Sequence, residues 1–500
     1  MDATIVESLA AVFAPGSLLL ILVGVAIGIV FGGIPGLNTP IAVALVLPFT
    51  IIMDPVPTVC ILMGIYMGGV SGGLIPAILL RIPGTAAAVA TTFDGYPMTA
   101  NGRASEALAL GTFASLFGGL FSAVALFLLA PWLSRLAIEF GPWEYFSSVF
   151  LALSLVCVLV RSSIVKGFIA MTLGLLISCV GVSPIDGVAM RFTFGYVELE
   201  NGFALIALII GLFALPEVLN SAGNLRGTNK QSDFEKKWFY FPTWPQIRVQ
   251  LVNMTRSSVI GTIVGIMPGM GGGPAGLIAY AQAQKASKTP ELFGKGCPDG
   301  VAASESANNA TTGGALIPML ALGVPGDTTT AIIMGAIALQ GLTAGPLLSL
   351  NQPTLFKTII FIVFVANIFM FLFQATMIRW LAKVLEVPKY ILFPGISVFC
   401  ALGVISINNN IFDLFYMFIF VVIGFILDKN KYPLPPFILA NVLGDIIEDN
   451  LRRSIVYCNS FPGCLTQVSI GTLFFGLAVL FPALAIIKPL LSGDNRQARS

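Results

Sequence analysis

Residues 17–34 read SLLLILVGVAIGIVFGGI, a run with no charged side chain. That is close to the twenty or so apolar residues one helix needs to cross a bilayer. Further apolar segments lie near 41–53, 58–80, 107–130, 145–160, 164–182 and 201–220. After a polar, basic stretch at 221–256 they resume near 257–283, 301–323, 328–350, 355–378, 390–407, 411–427, 433–447 and 467–490. The chain of 500 residues is 56% hydrophobic and only 10% charged, with a mean hydropathy of +0.92. Soluble domains carry roughly 25% charged residues, so a soluble globular protein is excluded. The runs are continuous, whereas strands of a membrane barrel alternate apolar and polar residues. The fold class is therefore all-α, a polytopic integral membrane protein of roughly 10–13 helices at about 35–45 residues per span and loop. Some runs are too short to span.

The composition also removes chemistries. There is no histidine, which excludes His-ligated zinc, His-ligated haem, Ser-His-Asp and Cys-His catalysis and His proton relays. The seven cysteines, at 60, 157, 179, 297, 400, 458 and 464, form no CxxC pair and indicate neither a metal site nor a disulfide framework. A net charge of +2 without a basic-aromatic patch gives no reason to expect nucleic acid. Met1 to Gly16 lacks Lys and Arg, so it reads as the start of a first span and not as a signal peptide. The segment 271–276 contains G-x-G-x-x-G, and Glu291 lies twenty positions beyond its first glycine. The fingerprint needs a strand–turn–helix in an aqueous domain, and this copy sits in a membrane run. No Walker lysine motif is present, and no catalytic constellation marks an enzyme.

The chain repeats itself. LIPAILLRIPGTAAA at 74–88 matches LIPMLALGVPGDTTT at 316–330, with the LIP and PG elements 242 positions apart. GIVFGGIPGLNTP at 28–40 matches GTIVGIMPGMGGGP at 261–274. This predicts a first transmembrane repeat over 1–220, a basic cytoplasmic or interfacial linker over 221–256 and a second repeat over 257–500. The linker carries Arg226, Lys230, Lys236, Lys237, Arg248 and Arg256; positive residues flanking spans favour the cytoplasm, and Trp238 and Trp244 suggest contact with the interface. Placing the Lys/Arg-free N-terminus outside makes the two repeats inverted.

Pro lacks an N–H and Gly tolerates unusual dihedrals, so Pro-Gly interrupts a membrane helix. Irregular backbone at membrane depth survives inside protein or against a water-filled cavity, and the restarting half-helix offers free N–H groups to an anion. Four such breaks are expected, at Pro35-Gly36, Pro83-Gly84, Pro268-Gly269 and Pro325-Gly326. Polar residues or bare glycine backbone follow or flank them: Asn38 and Thr39; Thr85; Gly271, Gly272 and Gly273; Asp327, Thr328, Thr329 and Thr330; and the cluster Asn308, Asn309, Thr311, Thr312. Their amides, hydroxyls and backbone can bind carboxylate oxygens, and their oxygens can coordinate Na⁺. Possible cation ligands are Asn38, Asn309 and Asp327, the last reading equally well as a helix cap. Arg81 can pair with a substrate carboxylate or snorkel to the interface. Asp94, Asp299 and Glu305 are expected at loop or helix ends. Asp445, Glu448, Asp449, Arg452 and Arg453 are expected to form a solvated or interfacial cluster.

GIVFGGIPGLNTP, GGLIPAILLRIPGTAAAVATTFDGYPM, GIMPGMGGGPAGLIAYAQAQ and NNATTGGALIPMLALGVPGDTTTAI together resemble the large membrane subunit of the tripartite tricarboxylate transporters, over essentially the whole chain. The resemblance implies a secondary transporter of the bacterial inner membrane that imports citrate or other carboxylates on an ion gradient. It needs no cofactor beyond a coupling cation, Na⁺ or H⁺. It also implies two partners, a small four-span membrane subunit and a periplasmic solute-binding protein. By motif match, substrate contacts fall on Pro35, Gly36, Asn38, Thr39, Gly84, Thr85, Asn308, Asn309, Thr311, Thr312, Gly326, Thr328 and Thr329. A channel-like or ion-translocating subunit of a larger complex is the alternative.

Overall fold

The computed structural model describes residues 3–34, 37–159, 163–183, 190–216, 219, 239–384, 389–408, 410–466 and 469–491. The described residues are overwhelmingly helical, as a chain in lipid must be when each backbone N–H and C=O needs a partner within its own segment. The first ten helices are α1 (Ala3–Phe13), α2 (Pro15–Gly33), α3 (Thr39–Thr50), α4 (Pro55–Gly72), α5 (Leu74–Leu80), α6 (Thr91–Ala100), α7 (Ala104–Ile138), α8 (Pro142–Leu159), α9 (Ile164–Ser178) and α10 (Leu205–Ile209). There follow α11 (Trp244–Ile266), α12 (Gly272–Ala286), α13 (Pro298–Leu322), α14 (Thr328–Leu339), α15 (Pro346–Asn351) and α16 (Pro353–Val384). The last are α17 (Lys389–Asn408), α18 (Ile411–Lys429), α19 (Leu434–Tyr457), α20 (Phe461–Thr466) and α21 (Ile470–Leu491). Proline at the first turn of α2, α4 and α13 starts helices where its missing N–H has no partner to lose. Among the described residues only a two-residue β pairing, Gly181–Val182 with Met190–Arg191, departs from this pattern.

Among the described residues, five stretches are long and apolar enough to cross a membrane: Pro15–Gly33, Pro55–Leu80, Ala104–Ile138, Pro353–Ile378 and Ile411–Lys429. Eight further apolar helices are shorter. The chain thus mixes full-length helices with short ones, as expected where Pro-Gly pairs cut the runs. Helix α11 begins at Trp244, so the last thirteen residues of the 221–256 segment are helical. Trp244 is exposed at its start; Trp238 and residues 221–238 lie outside the described residues.

The chain divides into two compact units that each draw on both halves of the sequence. One comprises 1–132, 217–266 and 270–403, the other 133–216, 267–269 and 404–500. In the first, α13 is the central element: every residue from Gly300 to Ala321 is buried, although the helix carries Glu305, two asparagines and two threonines. Protein and not lipid surrounds it, which is how so polar a helix is accommodated.

The repeat is visible in the contacts of this unit. A Cβ added at Gly28 would meet the Ile65 carbonyl oxygen at 2.3 Å, and one at Gly32 the Gly69 oxygen at 2.1 Å. In the second half a Cβ at Gly261 would meet the Ala307 oxygen at 2.2 Å, and one at Gly265 the Thr311 oxygen at 2.5 Å. Moving from Gly28 and Gly32 to Gly261 and Gly265 advances 233 positions, and their partners advance 242, the offset of the LIP and PG elements. The α2–α4 and α11–α13 pairs therefore pack backbone against backbone at equivalent points, the arrangement small residues permit in membranes.

In the second unit, Trp143, Phe146, Phe150 and Phe475 stack with ring centroids 5.4–6.3 Å apart. Glu448 pairs with Arg191 at 2.6 Å and Arg452 at 2.7 Å, and Asp449 with Arg453 at 2.8 Å. Glu448, Asp449, Arg452 and Arg453 thus form ion pairs, with Arg452 and Arg453 reaching solvent. One expectation is corrected here: Cys458 and Cys464 form a disulfide, with Cα atoms 5.2 Å apart. Their spacing matches no recognised cysteine motif, and it is the turn through Asn459, at φ 62°, that brings the chain back. The other five cysteines are free.

Candidate functional site

Helices stop and restart around each Pro-Gly pair. Helix α2 ends at Gly33 and α3 starts at Thr39; Pro35 and Gly36 lie outside the described residues. The chain leaves α5 through Arg81 at φ 60° and α13 through Gly323 at φ 72°, both left-handed C-caps at matched positions. Gly84 and Gly326 are matched too. A Cβ on Gly84 would lie 2.2 Å from the Gly32 oxygen, and one on Gly326 2.5 Å from the Ala315 Cα. The third break, Pro268-Gly269, belongs to the second compact unit, where Gly269 abuts Val156. The residues after it belong to the first, as do the helices that follow the other three breaks; α3, α12 and α14 begin directly after their breaks.

Their N-termini differ. Asn38 caps α3 itself, its Oδ1 accepting from the Ile41 N–H at 3.1 Å. Asp327 caps α14 through a capping box: Oδ1 accepts from the Thr330 N–H at 2.7 Å, and the Thr330 hydroxyl accepts from the Asp327 N–H at 2.9 Å. Oδ2 accepts from the Tyr66 hydroxyl at 2.6 Å. Asp327 is thus a helix cap in this structure. Helix α12 is different: Gly271, at φ 63°, precedes it with no side-chain cap. The N–H groups of Gly272 and Gly273 open its first turn, and Pro274 contributes none.

Two buried oxygens without partners lie close by. Asn308 is fully buried; its amide nitrogen donates to the Val70 carbonyl at 3.3 Å, while Oδ1 has no partner. A Cβ on Gly272 would lie 2.4 Å from that Oδ1 and 2.9 Å from the Ala87 Cβ, so Asn308 points at the opening turn of α12. Thr85, 9% exposed, also has an unpartnered Oγ1, and it lies beside Gly73. The 3-10 turn Ala86–Ala88 joins the two places. Buried polar atoms are almost always satisfied; Asn308 Oδ1 faces the uncapped start of α12 without a partner, and Thr85 Oγ1 is unpartnered beside Gly73.

The Thr311 and Thr312 hydroxyls donate back to the Asn308 and Asn309 carbonyls at 2.6 and 2.7 Å. Asn309 donates to the Glu305 carbonyl at 3.1 Å and its Oε2 at 3.4 Å. Thr39 and Thr329 are buried, and Thr39 fills the space beside Gly69. Thr328 is half-buried in the first turn of α14. Arg81 is exposed, its guanidinium 5.8 Å over the Tyr96 ring.

Glu305 corrects an expectation. It lies two turns inside α13, fully buried, and not at a helix end, because the protein around it supplies polar partners that hydropathy does not register. Its Oε1 accepts from the Thr91 hydroxyl at 2.5 Å and its Oε2 from the Ser115 hydroxyl at 3.0 Å. Asp299 does stand in the first turn of α13, and Asp94 in the first turn of α6. Asp94 is nevertheless buried, accepting from the Tyr280 hydroxyl at 2.8 Å and from the backbone N–H groups of Gly294, Gly296 and Cys297 at 2.8–2.9 Å. Sequence reading gave no role to Tyr66, Thr91 or Ser115, whose partners lie between 190 and 261 positions away. Glu305 had one signal, its i, i+3 and i, i+4 spacing to Asn308 and Asn309. The G-x-G-x-x-G run opens α12 and is preceded by helix α11, not by a strand.

An all-helical membrane fold with interrupted helices and a repeated glycine-packed pair is the architecture of a transport protein. Residues 18–439 match the tripartite tricarboxylate transporter TctA family, and the chain belongs to it. It is thus a multi-pass membrane protein and a transporter subunit of a three-part system, from a family of transporters and not of enzymes. An Agrobacterium vitis protein described as an uncharacterized 52.8 kDa protein in the TAR-I ttuC' 3'region is 35% identical over 438 residues, covering 87% of this chain and 86% of its own. A second from that organism, from the TAR-II ttuC' 3'region, is 34% identical over 232 residues, 46% of this chain and 96% of its own. No solved structure matches.

Proposed function

We propose that this chain is the permease of an ion-driven importer of citrate or other di- and tricarboxylates across the bacterial inner membrane. A periplasmic binding protein delivers the substrate, and a small four-span subunit accompanies the chain. The two repeats are inverted, and movement of the broken segments against the rest exposes the site to each side in turn.

The carrying observation is the orphaned buried oxygen Asn308 Oδ1 at the uncapped start of α12, with a second orphan, Thr85 Oγ1, one residue before the turn whose Ala87 also meets Gly272. A carboxylate there accepts from the Gly272 and Gly273 N–H groups and meets the positive end of the helix dipole. The Thr85 hydroxyl donates to a carboxylate oxygen, and Asn308 Oδ1 accepts from a substrate hydroxyl of the kind citrate carries. Such a site binds an anion without an arginine, leaving Arg81 at the surface. Asn38, Thr39, Gly84 and Gly326 shape the irregular segments of this unit, and Thr311, Thr312, Thr328 and Thr329 lie on its helices.

The test is uptake of radiolabelled citrate into proteoliposomes containing this chain and its small partner. Purified binding protein is added outside, with and without an inward Na⁺ gradient. Accumulation that requires both is expected. Asn308→Ala and Thr85→Val should each cut uptake by about tenfold or more, the loss of roughly one well-placed hydrogen bond to a charged group. Uptake that only equilibrates and ignores every gradient would assign the chain to channels.

A further inference from the structure

Asp94, Asp327 and Glu305 all lie inside the larger unit, and their negative charges are met differently. Asp94 accepts from three backbone N–H groups and a tyrosine. Asp327 sits on the positive end of α14 and accepts from a backbone N–H and two hydroxyls. Glu305 has neither a helix N-terminus nor a backbone donor. It is 0% exposed, and among the described residues it faces no Lys or Arg; its partners are the Thr91 and Ser115 hydroxyls and the Asn309 amide. An ionised carboxylate in such a place needs a compensating charge.

The surroundings specify what could supply it. Thr91 Oγ1 lies 3.1 Å from Ser304 Oγ, which in turn donates to the Gly300 carbonyl at 2.9 Å. Both Glu305 oxygens and the hydroxyls of Thr91, Ser115 and Ser304 therefore bring five oxygens to one buried junction of α6, α7 and α13. No nitrogen or sulfur ligand belongs to that set. A small hard cation takes oxygen ligands of this kind. The hydroxyls can rotate to present lone pairs in place of protons, so the junction can exchange hydrogen bonds for coordination.

We infer that Glu305, with Thr91, Ser115 and Ser304, is the binding site of one Na⁺ that enters and leaves during the transport cycle. A fixed lysine would also neutralise the carboxylate, but it could not depart. The site lies one helical turn from Asn308, whose Oδ1 faces the opening of α12. Loading the cation thus removes a negative charge close to where an anion is to bind. This assignment rests on the reading of the chain as the ion-coupled permease, and it replaces Asp327 with Glu305 as the cation ligand.

The experiment is binding of radiolabelled Na⁺ to the purified full-length chain at constant ionic strength, with choline as the balancing ion and no carboxylate present. Saturable binding is expected in the wild type. It should be lost in Glu305→Gln and weakened by about tenfold in Thr91→Val and Ser115→Ala, each eluting as the wild type does on gel filtration. If Glu305→Gln does not fold, the two hydroxyl deletions decide. Absence of Na⁺ binding by the wild type, or unchanged binding in the folded variants, would overturn the site. Na⁺ binding that responds to these substitutions in a chain that moves no carboxylate would uphold it while removing the function proposed above. Uptake driven by a proton gradient, with no Na⁺ bound, would do the reverse.

Discussion

At the scale of single residues, the contacts separate side chains that hold the fold from those left available. Tyr66 and Asp327 are the clearest case of the first kind, joined by a 2.6 Å hydrogen bond across 261 positions of sequence. Tyr66→Phe removes a buried hydrogen bond to a charged group, worth about 1.5–3 kcal/mol. We expect a lower midpoint of thermal unfolding in detergent, with Na⁺ binding by the folded fraction unaltered. Asn308 is the second kind, since one end of its amide is bonded and the other is not. Its neighbours Thr311 and Thr312 looked equivalent in sequence, but their hydroxyls are already bonded to their own helix. Hydroxyl residue types are legible in a sequence; whether a hydroxyl remains free depends on the carbonyl three or four residues behind it.

Helix pairs make a sharper prediction. Gly28 and Gly261 hold matched backbone approaches, and a Cβ on either would come within 2.3 Å of a carbonyl oxygen on the facing helix. Neither helix has a flexible side-chain end there that could yield. Gly28→Ala and Gly261→Ala should therefore each destabilise the chain by about 1–3 kcal/mol through overpacking, read as a loss of thermal stability in detergent. Gly395→Ala, in α17 with nothing within 4 Å of the added carbon, should be neutral or slightly stabilising, as alanine is the better helix former.

The Pro-Gly interruptions and the two-fold recurrence of LIP and PG were readable because both are local signals at fixed spacing. The polarity of α13 was not: a window average over Glu305, Asn308, Asn309, Thr311 and Thr312 cannot tell a helix that faces protein from one that faces lipid. The uncapped start of α12 was half legible. Gly271 to Gly273 stood out as bare backbone, whereas the approach of Asn308 to Gly272 depends on how the two helices pack.

For the whole molecule, the two compact units do not coincide with the two sequence repeats. Residues from the first half, such as Thr91 and Ser115, meet Glu305 from the second inside a single unit. Neither repeat carries that junction alone, so separately produced halves should bind Na⁺ only when co-expressed and reassembled, as radiolabelled Na⁺ binding would show.

The Cys458–Cys464 bond at the end of α19 predicts which way that turn faces in a bacterial membrane. A cystine persists where glutathione does not reach it, on the exported side of a bacterial membrane. The turn through Asn459 should then open to impermeant reductants in intact cells, and its thiols should take a charged maleimide only after such treatment. One bond between two cysteines six positions apart would thereby report the side of the membrane on which its own turn lies.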